Sequence, residues 1–334
     1  MQTRQLGPFT VSAIGLGCMN LSHAYGLPPS AEQGEKVLLA ALDAGVTLFD
    51  TAALYGFGAN ETLVGKVLKG ERKRFTLASK CGMQGVDVAG DGKLVRVIDG
   101  RPATIKATCE AALRRLQTEV IDLYYLHRWD KSVPIEDSVG ALSDLVRAGK
   151  IQSIGLSEVS ATTLRKAHAE HPIAALQTEY SLWTRNPEIA VLKACAELGT
   201  TFVAFSPVAR GFLSDVYLDP TGFHAKDIRG SMPRFAPDNY AANLKLLAAF
   251  QDLARELRCT SAQLALAWLL YKAPHIIPIP GTTSVAHLHE DLAAVDLRLA
   301  PEVLGQLEAL INQNSVAGNR YNAQANTEVD TEVF

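Results

Sequence analysis

The chain has 334 residues, of which 48% are hydrophobic and 20% charged, a globular mixture that excludes wholesale disorder. With 32 Lys and Arg against 35 Asp and Glu, its net charge is −3, which argues against nucleic acid or an anionic membrane surface as partner. No run reaches the roughly 18 uncharged apolar residues of a membrane-spanning helix. No leader segment is visible, and five scattered cysteines without a Cys-x-x-Cys pair read as reduced thiols, so a cytoplasmic protein is expected.

Short β-rich runs alternate with helical patterns along the chain. The first run, Ala13–Gly17, precedes a helical pattern over Ala31–Ala44 that ends at Gly45, a good C-cap residue. Runs follow at Thr47–Asp50 and Phe75–Lys80, then a helix over Thr104–Leu116 with Pro102 before it, where a missing N–H costs little. After the run Ile121–His127, the pattern Ile135–Ala148 puts Val139, Leu142, Leu145 and Val146 on one helical face and stops at Gly149. The alternation continues with Ile151–Ser157, Ala161–Glu170, Ile173–Gln177, Pro187–Leu198, Thr201–Ser206, Tyr240–Leu257 and Ile276–Ile279.

The β-runs are short, apolar and often β-branched, as in strands buried on both faces. Eight of them alternating with helices fit an α/β fold of the closed (β/α)8 TIM barrel type, with long loops at the C-terminal face. No linker or composition shift marks a boundary, so residues 1–334 read as one barrel domain, with 315–334 as a polar tail that is either disordered or covers a pocket. An open doubly wound sheet is the alternative, but the stretch Gly15 to Asn20 lacks the third glycine of its phosphate fingerprint. Segment Ser214–Asn239 is too long for an ordinary loop and reads as a flap or a disordered excursion.

Barrel chemistry sits where strands end. Asp50, Lys80 and His127 stand at the ends of the second, third and fourth runs, and Tyr55 follows five residues after Asp50. Singly, each has an ordinary structural explanation: a turn-capping Asp, a packed Tyr, a solvated Lys, a satisfied His. Together they form a device. A phenol titrating near pH 10 is a poor acid at neutrality, a nearby ammonium stabilises its phenolate, a carboxylate holds the ammonium, and a histidine orients a carbonyl oxygen or relays the proton. A Ser157/His127/Asp50 hydrolase triad lacks the Gly-x-Ser-x-Gly elbow and leaves Lys80 and Tyr55 without a role. His287/His289 and His168/His171 lack a third ligand at metal spacing, so no metal is expected.

The segment from Asp50 to Tyr55-Gly56, then Asn60-Glu61, Gly65, Lys80 and His127, resembles the signature of the aldo-keto reductases. Gly155-Leu156-Ser157, Gln177 to Ser181, Ala204-Phe205-Ser206-Pro207 and Ile277 to Thr282 extend the likeness from Gly15 to about Leu310, and the segment Arg210 to Leu213 resembles the branch of bacterial and plant aldehyde and ketone reductases. The resemblance implies an NAD(P)H-dependent enzyme reducing aldehydes or ketones, with a small-molecule carbonyl substrate. It implies Tyr55 as general acid, Asp50 and Lys80 as its tuners, and His127 as the group that orients substrate. It further implies Ser157 and Gln177 at the nicotinamide carboxamide, Phe205 stacked on the ring, and Ser206, Pro207 and Arg210 along the pyrophosphate. The rest of the cofactor contacts fall to Gly281, Thr283, Ser284, His287, Glu290 and Asp291. A non-catalytic or regulatory NADP-binding protein on the same scaffold is the alternative, and the oligomeric state is not legible.

The chain departs from the family where NADPH's 2′-phosphate is usually gripped by Lys or Arg. Thr283, Ser284 and His287 stand there instead. Ser and Thr hydroxyls can bond a phosphate, but none supplies the fixed charge or fork geometry of Arg. NADPH is therefore expected with weakened discrimination against NADH. Asp291 replaces a frequent Asn, and a carboxylate cannot donate as an amide does. Met19, Leu54, Trp129, Trp183 and the tail are expected to wall the substrate pocket.

Overall fold

The structure, a computed structural model, describes residues 1–334. The chain opens with an antiparallel hairpin, β1 (Thr3–Leu6) and β2 (Phe9–Ser12), that no sequence pattern announced. There follow β3 (Leu16–Gly17), α1 (Ala31–Asp43), β4 (Leu48–Asp50), α2 (Ala59–Leu68) and β5 (Thr76–Cys81). A second hairpin, β6 (Met83–Val86) with β7 (Val95–Ile98), occupies the expected loop after Lys80 and leads to α3 (Pro102–Leu116). The alternation resumes with β8 (Ile121–Leu126), α4 (Ile135–Arg147), β9 (Ile151–Ser157), α5 (Ala161–Glu170), β10 (Ile173–Glu179), α6 (Val191–Leu198) and β11 (Thr201–Phe205). It closes with α7 (Pro237–Glu256), α8 (Ser261–Lys272), β12 (Ile276–Pro278), α9 (Val285–Ala293), α10 (Pro301–Leu310) and α11 (Ala323–Thr327).

Eight strands pair in parallel in the order β3, β4, β5, β8, β9, β10, β11, β12. The ends meet: Gly15 N–H donates to Pro278 O and Gly17 N–H to Pro280 O, each at 3.0 Å, so the sheet is a closed barrel. Glycine is required at this seam, because a Cβ on Gly17 would lie 2.8 Å from Ile279 O. The lumen is packed by Leu48, Ala78, Leu123, Tyr125, Ala175, Val203 and Ile277, joined by Leu6 and Val11 from the first hairpin. Thr201, at the start of β11, ties that hairpin down by donating to Gln5 O at 3.0 Å. The hairpin thus plugs the N-terminal end and leaves only the opposite end for ligands.

The helices form where sequence signals place them. Ser30 accepts from Gln33 N–H to start α1, Thr260 and Gln263 make a capping box on α8, and α4 buries Val139, Leu142 and Leu145. Two expectations need correction, and two open alternatives lose their disordered member. The first run contracts to Leu16–Gly17, because Ser12 to Ile14 form the turn out of the hairpin, with Ser12 Oγ donating to Ile14 O. Pro187 sits in a separate 3-10 turn, Asn186–Glu188, before α6. Segment 214–239 is built from short 3-10 turns and packs Phe235 into the core. The tail is ordered: Arg320 pairs with Glu158 at 2.6 Å, and Asp330 accepts from Ser160 Oγ at 3.0 Å and Thr163 Oγ at 2.6 Å at the start of α5. No helix is long and apolar enough to cross a membrane.

Candidate active site

Asp50 ends β4, Lys80 lies near the end of β5, and His127 follows β8, so three neighbouring strands deliver them to one rim. Tyr55 begins the 3-10 turn after β4. The Lys80 ammonium is fully buried and donates to the Asp50 carboxylate, to Thr51 O at 2.8 Å and to Tyr55 Oη at 3.3 Å. Its three protons therefore have three acceptors. Gln177 Nε2 donates to the second Asp50 oxygen at 2.8 Å, so both carboxylate oxygens are engaged.

Burial disfavours the Lys80 charge, but the Asp50 carboxylate and the Tyr55 oxygen outweigh it, and its pKa is raised. Burial also pushes the Tyr55 phenol above its usual range, with Lys80 opposing. The phenol is thus held protonated, and the ammonium sits where a phenolate would need it. His127 stands edge-on to Tyr55, with ring centroids 5.8 Å apart. Burial first, then Arg128 and Lys80, holds its pKa well below the usual range, so the ring is neutral. Its Nδ1 is buried without a partner.

A cavity of about 1180 Å³ opens over this rim, larger than the roughly 300–1,000 Å³ of a typical small-molecule pocket. Of the residues expected to meet a cofactor, Ser157, Gln177, Phe205, Ser206, Pro207, Arg210, Gly281, Thr283, His287, Glu290 and Asp291 line it, as do Asp50, Tyr55 and His127. Ser284 does not; its hydroxyl caps α9 by accepting from the His287 N–H. Lys80 lies beneath the lining, reaching it only through Tyr55 and Asp50. Arg210 is buried and paired with Glu179 at 2.5 Å, so it is no surface charge.

The wall differs from expectation in two residues. Met19 and Leu54 line the cavity, but Trp183 is buried against Phe212 at 4.1 Å and Trp129 donates to Val133 O at 2.9 Å. Their places go to His23, Tyr25, Met83, Arg96 and Arg128, which belong to no motif, and to the tail through Tyr321, Gln324 and Glu328. Glu328 grips Arg96 at 2.5 and 2.6 Å and so ties the tail to β7 across the mouth.

The Asp291 carboxyl requires a further correction. Burial, reinforced by Glu290, pushes its pKa up to about 8. At neutral pH it is a protonated acid and can donate one hydrogen bond, as the expected Asn would.

Residues 13–312 match the Aldo/keto reductase family. The chain is 42% identical over 317 residues to probable aldo-keto reductase 1 of Glycine max, covering 94% of this chain and 89% of that one. It is 40% identical over 332 residues to aldo-keto reductase yakc, NADP(+), of Schizosaccharomyces pombe, covering 98% and 96%. Among solved structures it resembles the glycerol dehydrogenase of Gluconobacter oxydans, with TM-score 0.85 and 27% identity over 96% of this chain and 98% of that one.

Proposed function

The chain belongs to the aldo/keto reductase family, and from that premise we propose that it reduces aldehydes or ketones to alcohols with NADPH, using Tyr55 as the general acid. The observation that carries this reading is the Asp50–Lys80–Tyr55 chain beside a neutral His127 at the floor of one large cavity.

The residues fit a nicotinamide dinucleotide. Phe205 offers an aromatic face for a planar ring. Ser157 and Gln177 offer donors and acceptors for a carboxamide, and Gly17 and Gly281 leave no side chain where the backbone lines the cavity. The yakc relative carries NADP(+) in its name, which supports NADP(H) here. The bound cofactor would supply the hydride.

The chain's own residues supply the proton. Tyr55 donates its phenolic proton to the carbonyl oxygen as negative charge grows there. Lys80, 3.3 Å from Tyr55 Oη, stabilises the phenolate left behind. Asp50 fixes Lys80, and Gln177 fixes Asp50. His127, neutral, can donate one ring N–H to the same carbonyl oxygen and set its position.

The test is loss of NADPH absorbance with the purified protein across aldehydes, ketones and sugars. Consumption with any carbonyl supports the reading. NADPH binding without consumption across the whole panel would assign the chain to the regulatory alternative.

A further inference from the structure

Four guanidiniums line the cavity: Arg96, Arg128, Arg210 and Arg229. Three have acid partners: Arg96 with Glu328, Arg210 with Glu179, and Arg229 with Asp227. Arg128 has none. It donates to His127 O at 2.7 Å and, more weakly, to Ser157 Oγ at 3.4 Å, both neutral acceptors.

The acids near it are all committed. Asp50 holds Lys80 and Gln177. Glu158, next to Ser157, pairs with Arg320. Asp130, two residues along, accepts from Ser132 N–H and Oγ and from Gly100 N–H. Glu328 is taken by both arms of Arg96. Arg128 is also close enough to Tyr55 and His127 to lower the pKa of both, so its charge is felt at the reacting end. Around Tyr55 the wall is Met19, Leu54 and Met83, with the His23 ring stacked 6.1 Å from Tyr55 and the paired Arg96 beyond. A guanidinium with unused donors in a partly enclosed site favours a carboxylate, whose two oxygens match its fork.

We propose that Arg128 is a substrate-recognition residue, and that the carbonyl compounds this site favours carry a carboxylate on an apolar or aromatic body. The inference rests on the reductase reading above and names the substrate class for that site.

The test compares each carboxylated aldehyde with its own methyl ester. Saturated chains insulate the carbonyl in the longer ω-oxo acids, whereas in the benzaldehydes the ester activates the carbonyl more than the carboxylate does and so biases against the acid. The probes are the carboxybenzaldehyde isomers and a series of ω-oxo carboxylic acids of increasing length. In the wild type, kcat/KM for the best acid should exceed that of its ester by at least about tenfold, the scale of one charge-assisted hydrogen bond. The difference should lie mainly in KM. In Arg128→Gln the ratio should collapse to one for the ω-oxo acids and to one or below for the benzaldehydes, and Arg128→Lys should keep part of it. A ratio is insensitive to the fraction of folded protein, so poor folding of a variant does not obscure the result. Acid-to-ester ratios within about twofold of one for every pair, or a ratio unchanged in Arg128→Gln, would overturn the proposal.

Two further readouts need no turnover. Binding of 4-(hydroxymethyl)benzoate to the protein with saturating NADP+, by calorimetry, should weaken at least about tenfold in Arg128→Gln; no binding to the wild type overturns the proposal. The NADPH dissociation constant, by fluorescence, should stay within about threefold. A larger rise with an unchanged acid-to-ester ratio would assign Arg128 to the cofactor instead. Absence of any NADPH consumption, by contrast, speaks against the reductase reading itself.

Discussion

Asp291→Asn should stabilise the protein, and by more as the pH rises. Asp291 is buried beside Glu290, and its folded pKa is about 8 against an ordinary 3.8. The folded chain therefore holds this proton more tightly than the unfolded chain does. Below pH 3.8 both states are protonated and the group costs nothing. Between 3.8 and about 8 unfolding releases the proton, so stability falls as pH rises, by about 1.4 kcal/mol per unit. Above about 8 both states are ionised and the slope ends. At pH 7 the accumulated cost is about 4 kcal/mol as an upper bound, and at pH 5 about 1.5 kcal/mol. Asn has no proton to lose. The free-energy advantage of the variant should therefore widen from pH 5 to pH 8, read as the difference in urea midpoint between the two proteins at each pH. A difference that stays constant with pH, or a variant less stable than wild type at pH 7, would refute the argument.

Other expectations follow from the same geometry. Lys80→Met strands a buried carboxylate at Asp50 and should cost about 3–5 kcal/mol in urea unfolding. Adding Asp50→Asn should recover part of that loss, and a single variant within about 1 kcal/mol of wild type would contradict the pairing. No Lys or Arg stands among Thr282, Thr283, His287, Glu290 and Asp291 on the cavity wall, so NADPH should be preferred over NADH by less than about a thousandfold, roughly 4 kcal/mol, in direct titration; a larger preference would sink the weakened clamp. Segment 214–239 contributes Ser214, Leu218, Arg229 and Met232 to the cavity, so NADP(H) should slow its proteolysis, and unchanged cleavage would show that it does not respond to the cofactor.

The barrel was legible because each strand is a short apolar run bounded by turn residues, and the cluster of Asp50, Lys80 and His127 was legible because these residues sit at or beside strand ends, with Tyr55 in the turn after β4. What stayed hidden depends on contacts distant in sequence. The first hairpin is four residues a side, and only its place under β11 makes it a plug. The tail looks polar and patternless, yet Arg320, Glu328 and Asp330 find partners about 160 to 230 residues away. Trp129 and Trp183 carry a pocket-like composition, but packing turned them elsewhere. His23, Arg96 and Arg128 enter the wall from loops or a hairpin with no motif of their own. Asp291 reads as a charge in sequence, and its burial beside Glu290 makes it an acid.

The proposed reaction turns on Tyr55 as the proton donor. Tyr55→Phe removes one hydroxyl and leaves the Lys80–Asp50 pair in place. Turnover in this variant should fall at least about a hundredfold, with NADPH binding by fluorescence within about threefold of wild type. Turnover in Tyr55→Phe comparable to wild type would contradict it.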